Sequence, residues 1–368
     1  MLNQQRPILD AVLNASLLSN EARIFVEAIT DRVDLPERLA KMALVFRSKE
    51  KKQDAKLLAQ AALQLTPKNY RIKALTQWML RHEAPLWHFG IIHDDLRNET
   101  YARALEHWVK PGMTVFEIGT GTGILAMLAV RAGAAHVYTC ERRADVAEAA
   151  REIIARNGMA DRITVIAKDA YSVKLGIDIP QRADLFVAEI VDNTLLGEHV
   201  LPLMKLARQQ FLKPDAILLP RVVSAVGCLI SGKGHHQSYR MESAMGFDLT
   251  PFNRFSPMEI CAGKGGGDVE PLSDVMTLID FDLTHDAPQE ATRRMQIHAT
   301  HDGVVEGVMR WLKLDFGDGI LFENRPPQRS SWFPQIHLLP ASRRVSAGEA
   351  ITVEVFHNQD RLFVMAES

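Results

Sequence analysis

The stretch VFEIGTGTGILAM, residues 115–127, joins an apolar segment containing Glu117 to a second apolar segment through a glycine-rich turn. The glycines are Gly119, Gly121 and Gly123. Glycine lets the backbone turn tightly and approach a ligand closely, so the stretch predicts a strand, a ligand-binding turn and a helix. A dinucleotide fingerprint would place its third glycine at position 124, which is isoleucine here, so the spacing disfavours NAD.

Around this turn, residues 111–220 alternate short apolar segments with amphipathic ones, which predicts a doubly wound parallel sheet. After Pro220 the segments are shorter and alternate in polarity between Gly, Pro and Asp turns, which predicts an antiparallel sheet or barrel. A polar insertion at about 233–269 interrupts that rhythm and is expected to be an arm or loop. We therefore predict domains at 84–220 and 221–368.

Residues 1–83 have apolar residues at spacings of three and four, which predicts helices throughout. The segment DAKLLAQAALQLTPKN, residues 54–69, resembles a tetratricopeptide-type helix pair. A single such unit cannot bury its own apolar face. We therefore expect a helical extension that caps the next domain or serves as an interaction arm.

Composition restricts the function further. The chain has 368 residues, of which 47% are apolar and 24% are charged, as is ordinary for a globular protein. Its formal charge of -2 does not favour nucleic acid or an anionic membrane as partner. The N-terminus has no clean signal-peptide core and no apolar run is long enough to span a bilayer, so a cytoplasmic location is expected. The three cysteines are scattered, and no metal site is expected.

The glycine turn resembles the first motif of class I S-adenosylmethionine-dependent methyltransferases. In that family an acidic residue at the end of the second strand holds the ribose hydroxyls, and Glu141 ends the corresponding segment HVYTCE. Asp169, which ends ITVIAKD, corresponds to the position that contacts adenine. The resemblance implies S-adenosyl-L-methionine as the cofactor, bound by these two residues, Glu117 and the glycine turn.

Two glutamates, Glu189 and Glu198, follow the apolar run ADLFVA and lie nine positions apart. Strand ends of parallel sheets face the ligand crevice, and two converging carboxylates are costly there unless a cation binds between them. A guanidinium fits this role because two carboxylates can fork onto it and accept a released proton. We predict that the pair clamps a positively charged substrate group.

Together with the segment WHFGIIHDDLRNETY, residues 87–101, this pair resembles the protein arginine methyltransferases, in particular the branch with a Trp-His-Phe leader. The resemblance covers most of residues 85–368, with GFDL at 246–249 in the family's arm. It implies a Rossmann-like α/β methyltransferase domain, an N-terminal helical extension, a C-terminal antiparallel β-barrel domain and a homodimer formed through the arm. It identifies Glu189 and Glu198 as the family's double-E pair.

The resemblance also implies roles for four leader residues. Arg97 would pair with the cofactor carboxylate, while His88 and Asp94 would help to close the site, and Tyr101 lies on the same leader helix at the substrate pocket. Packing remains an alternative for His88 and Tyr101, and a solvated helix pair remains one for Asp94 and Arg97.

One later segment departs from the family pattern. Where the family has Thr-His-Trp, the chain has Ser330, Ser331 and Trp332. Ser331 thus replaces the histidine that would pair with Asp94, so we expect Asp94 to lack its partner, whereas Trp332 can still wall the substrate pocket. The substrate is predicted to be arginine in a protein or peptide, with free L-arginine or a small guanidino metabolite as an alternative, and a non-catalytic scaffold as an alternative of another class.

Overall fold

A computed structural model describes residues 2–30, 33–80, 86–232, 238–263 and 266–367. The chain divides into two compact units, Met1–His88 and Phe89–Ser368. The predicted boundary between residues 83 and 84 lies outside the described residues. In the described part of the chain, no helix is both long and apolar enough to cross a membrane.

The first unit is helical, as predicted. Its described helices bury alanine, leucine and phenylalanine side chains in a core of their own. Ser19 caps the second helix, and its hydroxyl donates to the Asp54 carboxylate of the fourth helix at 2.6 Å. The helices are Leu2–Leu13 (α1), Asn20–Ile29 (α2), Leu35–Ser48 (α3), Lys52–Leu65 (α4) and Tyr70–Leu80 (α5).

The second unit begins with the predicted α/β fold. Its five-stranded parallel sheet has the order β3-β2-β1-β4-β5, and an α-helix joins each pair of successive strands except β3 and β4. The strands are Thr114–Ile118 (β1), His136–Cys140 (β2), Ile163–Ile166 (β3), Ala183–Ala188 (β4) and Leu212–Leu219 (β5). The helices are Trp87–Ile92 (α6, which begins in the first unit), Asp95–Trp108 (α7), Ile124–Arg131 (α8), Ala144–Arg156 (α9) and Val200–Gln210 (α10), and Ala170–Ser172 is a 3₁₀ turn.

This strand order determines where a ligand can bind. From β1 the chain runs outward through β2 to β3, and it then crosses back to β4 and β5 on the other side of β1. The crevice at the carboxyl ends of β1 and β4 is therefore the topological switch point. All five residues of β1 are buried, as expected for the central strand of a covered parallel sheet.

The C-terminal part is antiparallel, as predicted. Among the described residues, seven strands form a sheet along the path β10-β6-β13-β15-β9, with β11 on β6 and β14 on β13. A further sheet has the order β12-β16-β17. The strands are Val222–Gly232 (β6), Ser243–Ala244 (β7), Phe247–Asp248 (β8), Glu259–Cys261 (β9), Val269–Pro271 (β10), Met276–Asp282 (β11), Ala291–His298 (β12), Gly303–Asp315 (β13), Leu321–Glu323 (β14), Gln335–Val345 (β15), Ala350–His357 (β16) and Leu362–Ala366 (β17).

The parallel and antiparallel parts share one hydrophobic core, with buried members from Tyr101 to Val364. The division predicted between residues 220 and 221 falls between β5 and β6 inside this compact unit. The predicted insertion, of which 233–237 and 264–265 lie outside the described residues, contains the short hairpin of β7 and β8 and the 3₁₀ helix Thr250–Phe255. We call residues 238–258 the arm.

Candidate active site

The glycine turn lies between β1 and α8, as predicted. Gly119 and Gly123 have φ values of 89° and 80°, in the left-handed region that side chains disfavour. A Cβ atom at Gly123 would also lie 3.1 Å from Ile154 Cδ1 of α9. The amide of Gly119 donates to the Cys140 carbonyl at 3.0 Å, which fixes the turn against the end of β2.

Glu141 and Asp169 follow β2 and β3 at the same edge of the sheet. Glu141 is buried, and its Oε2 accepts a hydrogen bond from the Gly121 amide at 3.2 Å while its Oε1 accepts one from the Arg143 amide at 2.9 Å. Asp169 is exposed, and its Oδ1 accepts from the Tyr171 amide at 3.0 Å. The Glu141 carboxylate is thus in place beside the glycine turn.

Glu117 is completely buried at the end of β1. Neither of its carboxylate oxygens has a hydrogen-bond partner of good geometry among the described residues. Burial raises the pKa of its carboxyl to about 8, although the nearby Thr139 hydroxyl lowers it. A buried polar group without a partner is costly, so this carboxyl is a candidate for a ligand contact.

Arg97 of α7 points into the crevice and is 3% exposed. Its Nη2 donates to Glu189 Oε2 at 2.7 Å and its Nη1 donates to Asn98 Oδ1 at 2.6 Å, but its buried Nε has no partner among the described residues. The guanidinium lies 5.1 Å from the centre of the Tyr101 ring. The structure therefore brings together Arg97 and Glu189, which are 92 residues apart in sequence.

Tyr101 packs against the Arg97 guanidinium. It is fully buried, its hydroxyl donates to the Ala188 carbonyl at 3.0 Å, and its ring packs edge-on against Phe316 with 4.9 Å between centroids. These contacts fit the packing alternative for Tyr101, and its place at the substrate pocket stays a prediction.

Glu189 and Glu198 lie at the two ends of the loop between β4 and α10. Burial raises the pKa of Glu189 to about 7, although the charge of Arg97 and its hydrogen bond lower it. Burial, followed by the charges of Glu189 and Asp192, raises the pKa of Glu198 to about 8. The charge of Glu189 thus makes Glu198 more expensive to ionise, as expected when two carboxylates lie in one crevice.

Asp192 holds this loop from within. Its Oδ1 accepts from the Thr194 amide, the Thr194 hydroxyl and the Gly197 amide, at 2.9, 2.7 and 3.1 Å. A Cβ atom at Gly197 would lie 2.2 Å from Asp192 Oδ2. Asp192 was not predicted as a functional residue, although an aspartate that bonds the backbone two residues on is a known turn signal.

Asp94 has partners, contrary to expectation. Its Oδ2 accepts from the Ser330 hydroxyl at 2.6 Å, the Ser331 amide at 2.7 Å and the Ser331 hydroxyl at 2.9 Å, while its Oδ1 accepts from the Arg97 amide at 3.1 Å and so caps α7. Two hydroxyls and a backbone amide thus supply what one imidazole was expected to supply. We call these contacts the serine clasp.

Trp332 is 4% exposed and packs edge-on against Phe322 with 5.1 Å between centroids. Its role as a wall of the substrate pocket stays a prediction. Ser331 is only partly buried and belongs to the serine clasp. His88 stacks on Trp87 and belongs to the first compact unit, and its role at the cofactor stays a prediction.

Comparison with known proteins agrees with this architecture. Residues 100–215 match the model of the ribosomal protein L11 methyltransferase (PrmA) family. In structure, the chain is similar to the Trypanosoma brucei PRMT1 enzyme–prozyme heterotetrameric complex with AdoHcy, with a TM-score of 0.68 and 23% identity over 75% of this chain and 88% of that one.

Among curated relatives, the arginine N(omega)-methyltransferase of Streptomyces achromogenes subsp. streptozoticus is 36% identical over 307 residues, which is 81% of this chain and 83% of the relative. The protein arginine N-methyltransferase 7 of Drosophila ananassae is 31% identical over 280 residues, 69% of this chain. The match spans only 40% of the length of that second relative.

Proposed function

Because this chain belongs to the arginine N-methyltransferase family, we propose that it transfers a methyl group from S-adenosyl-L-methionine to a terminal guanidino nitrogen of arginine. The observation that carries the proposal is the pair Glu189 and Glu198, whose carboxyl pKa values are raised to about 7 and about 8 at the switch point of the sheet. A bound guanidinium neutralises both carboxylates and removes the repulsion between them.

The residues of the crevice fit this cofactor. The buried Nε of Arg97, which has no partner among the described residues, can donate to the carboxylate of the cofactor. The buried carboxyl of Glu117 can accept from the ammonium group of the cofactor, and Glu141 can accept from the ribose hydroxyls of the cofactor. The glycine turn lets the backbone approach closely. When bound, the cofactor supplies an electrophilic methyl group on a sulfonium.

The two glutamates have different surroundings and therefore different proposed roles. Glu189 is tied to Arg97, so its orientation is fixed, whereas no hydrogen bond or ion pair from the described part of the chain reaches Glu198. We assign Glu189 to orienting the guanidinium and Glu198, with the higher pKa, to accepting the proton that the attacking nitrogen loses.

The size of the acceptor is the second part of the proposal. The match covers 83% of the relative named an arginine N(omega)-methyltransferase. It covers only 40% of the relative named a protein arginine N-methyltransferase. This difference favours free L-arginine or a small guanidino compound as an acceptor, alongside arginine in a peptide.

Methyl transfer from labelled cofactor to free L-arginine and to an arginine-rich peptide, with product masses, tests the activity and separates the two acceptors. Glu189→Gln is expected to lower turnover by about 100-fold or more and to leave cofactor binding in place, because it removes one prong of the clamp. Glu148→Gln, on the exposed face of α9, is the matched control and keeps wild-type turnover. Cofactor binding by the wild type without transfer to either acceptor, or wild-type turnover by Glu189→Gln, contradicts the proposal.

We also propose a homodimer in which the arm of one copy docks on its partner. The arm exposes these large apolar side chains: Tyr239, Met241, Met245, Phe247, Leu249, Phe252, Phe255 and Met258. A groove of about 380 Å³ between α7 and α8, with Ile124, Met127 and Met159 in its wall, offers an apolar surface for them. The double variant Met245→Asp with Phe247→Asp is expected to sediment as a monomer, and an unchanged mass for variant and wild type contradicts this assembly.

A further inference from the structure

Arg310 lies in the middle of β13 and is the largest fully buried side chain of the described residues. Its guanidinium donates to three acceptors on three different segments. Nε donates to His337 Nε2 of β15 at 2.8 Å, Nη1 to the Asn193 carbonyl at 3.1 Å, and Nη2 to Glu259 Oε1 of β9 at 3.3 Å. An arginine fork can join three segments in this way because its donors are rigid and planar.

The neighbours of Arg310 suit a permanently charged group. Burial and the charge of Arg310 lower the pKa of His337 well below its usual range, so the imidazole is neutral and its Nε2 can accept a hydrogen bond. Its Nδ1 lies 3.7 Å from Glu259 Oε2. The carboxylates of Glu259 and Asp192 supply negative charge around the guanidinium, opposing the effect of burial, which lowers the pKa of Arg310.

The Asn193 carbonyl connects this network to the active site. Asn193 lies between Glu189 and Glu198, and its side-chain Oδ1 accepts from the Phe333 amide at 2.8 Å. Both acceptor atoms of one loop residue are therefore held from the antiparallel part of the fold. The hydrogen bonds of Asp192 fix the shape of the loop, whereas those to Asn193 fix its place.

We propose that Arg310 is a positioning residue for methyl transfer, whose buried fork holds loop 189–199 so that both glutamates face the same substrate. The proposal rests on the assigned function of the two glutamates, but the hold on the loop is a property of the protein without substrate. Glu259 directly follows the arm, so the same guanidinium also joins the end of the arm to this loop. A misplacement of about 1 Å at such a loop can cost about 100-fold in rate.

The test is Arg310→Lys, which keeps the charge but loses the fork. Arg343→Lys is the matched control, since Arg343 lies in the same sheet and pairs with Glu349 at 2.8 Å on a half-exposed surface. Hydrogen–deuterium exchange is expected to rise at least about tenfold in peptides covering 189–199 and to stay unchanged in β2, with turnover about 10- to 100-fold lower and the cofactor Kd within about threefold of wild type. The Arg343→Lys variant keeps wild-type values in all three measurements.

Exchange is measured without an acceptor, so the hold on the loop is tested even if the proposed methyl transfer fails. If Arg310→Lys does not fold, Glu259→Gln takes its place, because it keeps an acceptor oxygen and removes only the counter-charge; faster exchange in 189–199 is again expected. Unchanged exchange in 189–199, or an equal rise in every segment of the second unit, overturns the proposal. So does a turnover that falls only in proportion to the folded fraction.

Discussion

Replacing Glu198 by glutamine should make the protein without ligands more stable and far less active. Glu198 has no hydrogen bond or ion pair from the described residues, and burial raises the pKa of its carboxyl from 4.5 to about 8. A carboxyl whose folded pKa is raised favours folding below its unfolded pKa, and that contribution is lost as pH rises through the folded pKa. Glutamine has the same shape and does not ionise.

The size of the effect follows from the two pKa values. Linkage between 4.5 and about 8 gives a difference of about 1 kcal/mol near pH 5.5, about 4 kcal/mol near pH 7.5 and a limit of about 5 kcal/mol at higher pH. These are order-of-magnitude values, equivalent to a rise in melting temperature of roughly 2–8 °C at neutral pH. Turnover should fall by about 100-fold or more, because the proposed proton acceptor is lost.

Unfolding midpoints of wild type and Glu198→Gln are compared at several pH values between about 5 and about 8.5, with Glu148→Gln as the control for removal of a charge in general. The stability gap should widen with rising pH for Glu198→Gln only. A variant less stable than wild type, or a gap independent of pH, refutes the argument that the site carries an ionisation cost.

Three further variants test the surrounding contacts. Asp94→Asn removes an acceptor for the amide and the hydroxyl of Ser331, so the free energy of unfolding should fall by about 1–3 kcal/mol. A denaturant midpoint equal to that of wild type argues against a stabilising role of the serine clasp. Glu141→Ala should raise the cofactor Kd by about tenfold or more in calorimetric titration, and a change below about twofold excludes its ribose role. Gly197→Ala places a methyl group against the Asp192 carboxylate and so displaces the loop, and turnover should fall about tenfold at constant cofactor Kd. Turnover equal to that of wild type would show that the turn can relax around the methyl group.

The sequence predicts the α/β part of the fold because its signals are local. An apolar strand, a glycine turn and a helix follow one another between residues 114 and 131, and each requires only its neighbours in the chain. The switch point then follows from the general rule for parallel sheets, which is why Glu117, Glu141 and Glu189 could be assigned to one edge. The ion pair of Arg97 with Glu189 could not be derived in this way, since 92 residues separate the two.

The serine clasp illustrates a different limit. Sequence comparison treats the change from histidine to Ser331 as the loss of a partner for Asp94, because it compares side-chain types. The structure supplies the missing hydrogen bonds from a second hydroxyl, Ser330, and from a backbone amide that any residue except proline would have at position 331. The effect of a substitution thus depends on the path of the backbone, which the residue type does not specify.

Arg310 illustrates a third limit. β13 reads GVVEGVMRWLKLD, and residues 307–312 are buried without alternation, because both faces of the strand are covered there. Alternation of polar and apolar residues therefore cannot predict the exposure of the one cation among them. A charge inside a run of large apolar residues is itself informative, because burying it is costly unless several partners are placed around it. The partners of Arg310 are a neutral imidazole, a carboxylate and the carbonyl of Asn193. Because Asn193 lies on the loop between Glu189 and Glu198, the cost of burying this charge is linked to the position of the two glutamates.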